Sequence, residues 1–320
     1  MTSTLPPQVQ EVFDRFITTE LTTVDAKGQP IAWPVTPYYR PGEATIDVTT
    51  GVGYPKKAED ARRHPRVSLL FSDPTGSGIE SGIRVLVQGM AEIDDSDLRA
   101  NRERYREESL EKLPAVKDLL PPKAIEGLFS WYFERIYIKV RPERVFVWPE
   151  GDPRKPPEVH GAHLEEVRSG HNEETETADT PSSTDGPGVS DPRIEELGRR
   201  YDEAVLAWIA PDEFPLAARL PISREGSRIR IEAEPAGLPC GEGPACVTAH
   251  RHAPDFSWQE NFQVRGDLRR EGDAIELIPR KLIGGFELPK ESMLASYRRN
   301  FRKSIRFYRR RRELLKQRDG

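Results

Sequence analysis

The chain has 320 residues, with 36% hydrophobic and 32% charged positions, 29 prolines and a formal net charge of -5. That length allows two ordinary domains, while the polarity is too high for one large globule, so part of the chain is expected to stay unfolded. The charge gives no basic bias toward nucleic acid, and two cysteines, Cys240 and Cys246, are too few for a disulfide scaffold or a four-cysteine zinc site.

From the N-terminus, Met1 to Gln10 lacks a basic start followed by an apolar run, so no secretory signal is expected. The most apolar stretch, Ala204 to Ala210, falls far short of the ~20 residues a membrane-spanning helix needs. A cytoplasmic protein with free thiols and no membrane or nucleic-acid partner is the expectation. Pro6 to Thr18 reads as a helix with Val9, Val12, Phe13 and Phe16 on one face. Leu21–Val24, the turn Asp25–Gly28 and Pro30–Val35 read as a hairpin, and Thr45–Thr50 as a third strand. Lys56–Arg63 is a short helix stopped at His64-Pro65, because a residue before proline avoids the helical region. Val67–Phe71 and Arg84–Ile93 are strands rich in branched residues. Asp95–Leu119 and Lys123–Arg135 look helical, and Ile136–Trp148 reads as a strand pair around Arg141-Pro142.

From Gly151 to Pro192 there is no aromatic residue and little aliphatic content, so this segment cannot bury enough surface to offset its ordering entropy. It is expected to be a disordered acidic, proline-rich linker between a domain at 1–150 and another at 193–320. Beyond it the same pattern returns. Ala204–Ile209 and Pro215–Ile222 repeat the first hairpin, Ile229–Ala233 the third strand, and Ala245–Ala249 the strand at Val67–Phe71. Asn261–Leu268 parallels Arg84–Ala91 with glycine in the same place. This is duplication at domain scale. Short strands with one small helix between them predict a mainly β protein with some helix (α+β): two antiparallel split β-barrels in tandem, with flanking helices. No strand leads into a glycine-rich dinucleotide or phosphate loop.

The first 95 or so positions resemble the pyridoxamine 5'-phosphate oxidase-like superfamily of flavin-binding split barrels. Three stretches carry the resemblance in order: Leu21–Pro30, then Lys56-Lys57 ahead of Arg63–Phe71, then Arg84–Glu92. It implies flavin mononucleotide (FMN) at a barrel interface, contacted by Trp33, Pro34, Val35 and Thr36 and by Thr49, with Lys56 and Lys57 on the phosphate. Two cations and a hydroxyl beside a helix start also suit a phosphate dianion on physical grounds. Arg84 stands where the oxidase has a glutamine near the flavin ring. The family pairs as homodimers, so a tandem chain resembles an internal pseudo-dimer, monomeric overall, with Arg219 and Asn261 of the second barrel covering the flavin. Glu232–Gly243 is too short and proline-rich to supply a second lysine-bearing helix, so one site is expected. No stretch resembles the oxidase's C-terminal substrate-binding motif, and pyridoxamine phosphate oxidation itself is not expected. The resemblance therefore implies an FMN-binding oxidoreductase with a small-molecule redox substrate. The alternatives are a deazaflavin-dependent reductase and a non-catalytic flavin- or haem-binding protein.

Other clusters have plainer readings. His250 and His252 share one strand face, which suits a metal or haem, but a third and fourth ligand are missing and an interface role is expected. Cys240 and Cys246 lack redox-motif spacing. Gly284–Pro289 reads as a turn. Leu294 to Arg312 reads as a basic amphipathic helix docked by its aromatic stripe, with nucleic acid or an anionic membrane as the sharper alternative.

Overall fold

The computed structural model describes residues 5–113, 133–161, 191–272 and 274–285. The first half runs α1 (Pro7–Arg15), β1 (Thr19–Val24), β2 (Pro30–Val35), β3 (Tyr38–Tyr39), β4 (Ile46–Gly51), α2 (Lys56–Arg63), β5 (Arg66–Phe71), β6 (Arg84–Asp94), α3 (Leu98–Lys112), β7 (Arg135–Trp148) and β8 (Glu158–Gly161). These strands form one sheet in the order β2-β1-β5-β6-β7-β4-β3, with β8 added on β7. The sheet curls around a core of Leu21, Val48, Leu69, Val85 and Ile138, capped by Val9, Val12, Phe13 and Phe16. The apolar face read at the N-terminus is thus what holds α1 on the sheet.

The second half runs β9 (Glu203–Ile209), β10 (Pro215–Glu225), β11 (Arg228–Ile231), β12 (Gly243–His252), β13 (Gln259–Glu271) and β14 (Ala274–Gly284). These close into a six-stranded antiparallel barrel, β10-β11-β14-β13-β12-β9. The protein is therefore mainly β with few helices, a half-barrel sheet beside a closed barrel.

Two details show the same backbone built twice. In the first hairpin the Gly28 amide donates to the Asp25 carbonyl and Asp25 to Gln29; in the second, Glu213 donates to Ala210 and Ala210 to Phe214. The two turns place Gly28 and Glu213 alike in the left-handed region, at φ 75 and 64. The paired long strands also break register at matching points, between Gln88 and Gly89 and between Arg265 and Gly266. A Cβ on Gly89 would lie 2.3 Å from the Arg141 carbonyl oxygen, and one on Gly266 would lie 2.0 Å from that of Ile278. A side chain at either bulge would collide with rigid backbone, so the repeated glycine has a steric cause.

Aligning turns and bulges pairs β1 with β9, β2 with β10, β5 with β12 and β6 with β13. The packing between halves is reciprocal under that pairing. β2 lies against β12, β9 and β13, while β10 lies against β5, β1 and β6. Ala32, Leu70, Leu86, Phe146 and Trp148 of the first half join the apolar cluster of the second. An apolar core thus runs from one half into the other.

Three expectations change. Ile136–Trp148 is not a strand pair but part of one 14-residue strand. Pro142 pairs with Gly89 at the register shift, where a missing N–H costs no ladder bond. The start of the expected linker is ordered: β8 pairs with β7, and the Trp148 indole donates to the Lys155 carbonyl at 3.0 Å. β3 was not foreseen, because two residues leave no periodicity to read. The helices expected over 114–132, the remaining linker at 162–190 and the C-terminal helix lie outside the described residues. Among the described residues no helix is long and apolar enough to cross a membrane.

Candidate functional site

At the start of α2 lies a pocket of about 160 Å³ lined by Thr23, Ile31, Trp33, Tyr54, Lys56, Lys57 and Asp60. Thr23, Ile31 and Trp33 share a face because β1 and β2 pair Thr23 with Ile31 and Leu21 with Trp33. The turn Gly51–Pro55 swings Tyr54 over this face, and a Cβ at Gly51 would sit 2.8 Å from the Tyr54 ring and displace it. The Tyr54 hydroxyl accepts a hydrogen bond from Arg135 at 2.9 Å.

The donors in this pocket outnumber its acceptors. No side chain caps α2, which begins after Pro55, so its first amides remain available at the positive end of the helix. The Thr23 hydroxyl is buried and has no hydrogen-bond partner. Lys57 is half-buried, and among the described residues no carboxylate pairs with it. Desolvation, helped by the nearby Arg135 charge, holds its ammonium down at about 8. Lys56 differs: its ammonium is 2.7 Å from Asp60, which also receives Arg63 at 3.3 Å. Burial pushes the Asp60 carboxyl above its usual range despite Lys56.

From the second barrel, Arg265 approaches the same region. Its side chain is 14% exposed, its Nε donates to Gln263 at 2.7 Å, and the nearest carboxylate, Asp25, is 4.0 Å away. Burial lowers its basicity, a sign that the cation has too little countercharge. Sequence reading missed Thr23, Tyr54, Asp60, Arg135 and Arg265. The signal for Arg265 was present, since it occupies the bulge position matching Gln88.

Among the expected site residues, Trp33, Lys56 and Lys57 converge on the pocket. Pro34, Val35 and Thr36 continue the same chain beyond it. Thr49 pairs with Tyr137 and does not line it. Arg84 is committed elsewhere, donating to Glu203 at 2.7 Å and to the Arg219 carbonyl at 2.8 Å. Asn261 lies beside His250 on the neighbouring strand, away from Lys57.

Arg219 belongs to a second, buried cluster between the barrels. It donates to Glu20 at 3.0 Å and to Ser72 at 2.9 Å, with its Nη2 2.6 Å from His250 Nε2. His250 Nε2 lies 2.6 Å from Glu20, which is wholly buried. Burial alone would raise the Glu20 carboxyl, but the His250 hydrogen bond and the charges of His250 and Arg219 outweigh it. Asp73 is held down at about 2, with Arg219 and His250 overcoming its desolvation. His252 meets Thr18 at 3.2 Å and the Ala253 carbonyl at 2.9 Å. Both histidines are engaged by protein groups, and no metal-holding group occurs among the described residues. The two cysteines are unpaired; burial pushes each thiol up to about 11, away from redox reactivity.

The fold is that of a split-barrel protein, with a pocket at the start of α2 that carries two lysines. Residues 5–148, which span the first barrel, match the family described as pyridoxamine 5'-phosphate oxidase. Solved structures similar to the chain include a conserved hypothetical protein of Mycobacterium tuberculosis, 20% identical over 47% of this chain and 87% of that one, with a TM-score of 0.36. A FAD-binding protein of Mesorhizobium loti is 19% identical over 45% and 94%, with a TM-score of 0.32. An F420 reductase is 19% identical over 44% and 98%, with a TM-score of 0.34. Comparison with curated proteins finds no match.

Proposed function

We propose that the pocket at α2 holds the phosphate end of a flavin of the FMN type, and that the protein is a cytoplasmic flavin-dependent oxidoreductase acting on a small molecule. The observation that carries this reading is the Lys57 ammonium, half-buried and without a carboxylate partner among the described residues, which lines one small cavity at the start of an uncapped helix. A phosphate dianion supplies the acceptor it lacks. Complete ligand sites run to ~300–1,000 Å³, so a pocket of about 160 Å³ receives one end of the cofactor. The ring would extend past it.

When bound, the flavin would supply the hydride or electron transfer. Lys57 would neutralise the phosphate, Thr23 and the α2 amides would orient it, and Trp33 would wall it from water. Arg265 would add charge from the second barrel, the role that the family resemblance implies for Arg219. Arg219 is already engaged through its Nε and Nη2 by Ser72, Glu20 and His250. Deazaflavin cofactors also carry a phosphate, as a diester with one charge, so the same cations would suit either cofactor.

The test is titration of the full chain with FMN and with a deazaflavin, followed by absorbance and fluorescence. Lys57→Ala should weaken binding roughly tenfold or more, the scale of a lost charge-assisted contact. Lys56→Ala should weaken it less, because Lys56 already serves Asp60. Affinity unchanged in Lys57→Ala would remove the basis of the reading.

A further inference from the structure

The interface between the barrels is reciprocal in backbone but not in charge. In the first hairpin Glu20 pairs with Pro34, and in the second Val205 pairs with Arg219. Under the strand correspondence Glu20 therefore matches Val205, and Pro34 matches Arg219. Strand registers against β5 and β12 likewise match Ser72 with His250. Each charged residue of the buried cluster has a counterpart without its charge in the other barrel.

That asymmetry decides which surfaces can meet. Two first barrels pairing in this geometry would set each Glu20 against a Pro34, burying two carboxylates with no cation. Two second barrels would set each Arg219 against a Val205, burying two guanidinium groups with no carboxylate. The unlike pair alone brings Glu20 and Arg219 together, at 3.0 Å with side chains 0% and 10% exposed. Buried charges without a partner are far costlier than exposed ones, so like-with-like association is penalised twice over.

We infer that the Glu20–Arg219 contact, supported by His250 and Ser72, makes the first barrel's pairing face selective for the second barrel and closed to a second copy of itself. Around this cluster the interface is largely apolar and is crossed by Arg84–Glu203, Arg66–Glu213 and Arg144–Asp212, in each of which the carboxylate is at least 36% exposed and so costs little when unpaired. Selectivity rests in the charged cluster. This inference is independent of any cofactor.

Full-length variants separate selection from simple support. Glu20→Met strands Arg219, and Arg219→Met strands Glu20; each should lower the melting temperature. Glu20→Met/Arg219→Met removes both buried charges and leaves His250 beside Asp73 and Ser72, which should recover part of that loss. Light scattering then gives the decisive reading. The double variant should form concentration-dependent assemblies of roughly double the wild-type mass and above, as like barrels pair between chains. A double variant that keeps the wild-type mass over the same concentrations would overturn the inference. So would one that melts as low as the single variants, because the pair would then support the fold without selecting a partner.

Discussion

The two barrels share a backbone and differ in what fills it. Turn registers place Trp208 of the second barrel where Thr23 stands in the first, since Thr23 pairs with Ile31 and Trp208 with Leu216. In the first barrel that position opens onto the pocket at α2. In the second, the indole is buried and donates to the Pro239 carbonyl at 2.7 Å, from a loop that replaces the helix. Leu238 packs into the same core. One copy has kept a cavity with unmatched donors, and the other has converted the space to core. Duplicated folds retain what chain geometry demands, such as bulge glycines and tight turns, while the contents of a site are free to diverge.

The sharpest way to break this comparison is to empty the filled side. Trp208→Ala should cost ~3–5 kcal/mol, as for other large buried aromatics cut to alanine. Denaturant unfolding would measure it. Thr23→Val at the matching position keeps volume and removes an unpartnered hydroxyl, so stability should change little while cofactor affinity falls. If both variants lose equal stability, the first-barrel position is ordinary core and the contrast fails.

The next effect concerns Lys57, whose counterpart loop in the second barrel carries no lysine. Its ammonium is held down to about 8 from an unfolded value of 10.5. Phosphate binding needs the charged form, so affinity should fall by up to about tenfold per unit as pH rises past 8. The sign for the cofactor-free protein is opposite. Between 8 and 10.5 the unfolded chain holds the Lys57 proton and the folded chain has released it, so this group adds stability as pH rises. Lys57→Met should flatten both profiles. Titrations at several pH values alongside thermal melts would show whether they share one inflection.

Much of the fold was legible in the sequence because its signals are local. β2 and α2 run over the spans expected, since proline, glycine and branched residues mark their ends within a few positions. The duplicated glycine was visible, and the bulges explain it. The site was legible only in part. The family resemblance points to Trp33, Lys56 and Lys57, whereas Arg265 and Thr23 carry no motif and reach the same region through tertiary packing. Glu20 and Arg219 are 199 positions apart, and no periodicity links them. Composition did misplace β8, because Glu158–Gly161 is held by pairing with β7 rather than by its own propensity.

The smallest expected effect lies in the matched turns. Both need a residue in the left-handed region, which glycine enters freely and other L-residues enter at a cost of ~1–2 kcal/mol. The first barrel uses Gly28 there; the second uses Glu213 at φ 64. In exchange Glu213 pairs across the barrels with Arg66, but its side chain is 77% exposed. Exposed ion pairs contribute only ~0–1 kcal/mol, less than the strain. Glu213→Gly should therefore be neutral to slightly stabilising, by up to ~1 kcal/mol, despite losing an interface contact. Gly28→Glu, the reverse exchange, should destabilise, because it adds the strain with no Arg66 to reach. Denaturant midpoints of the two variants give opposite signs if the turns are equivalent; a loss in both would mean that Arg66–Glu213 contributes more than an exposed pair should.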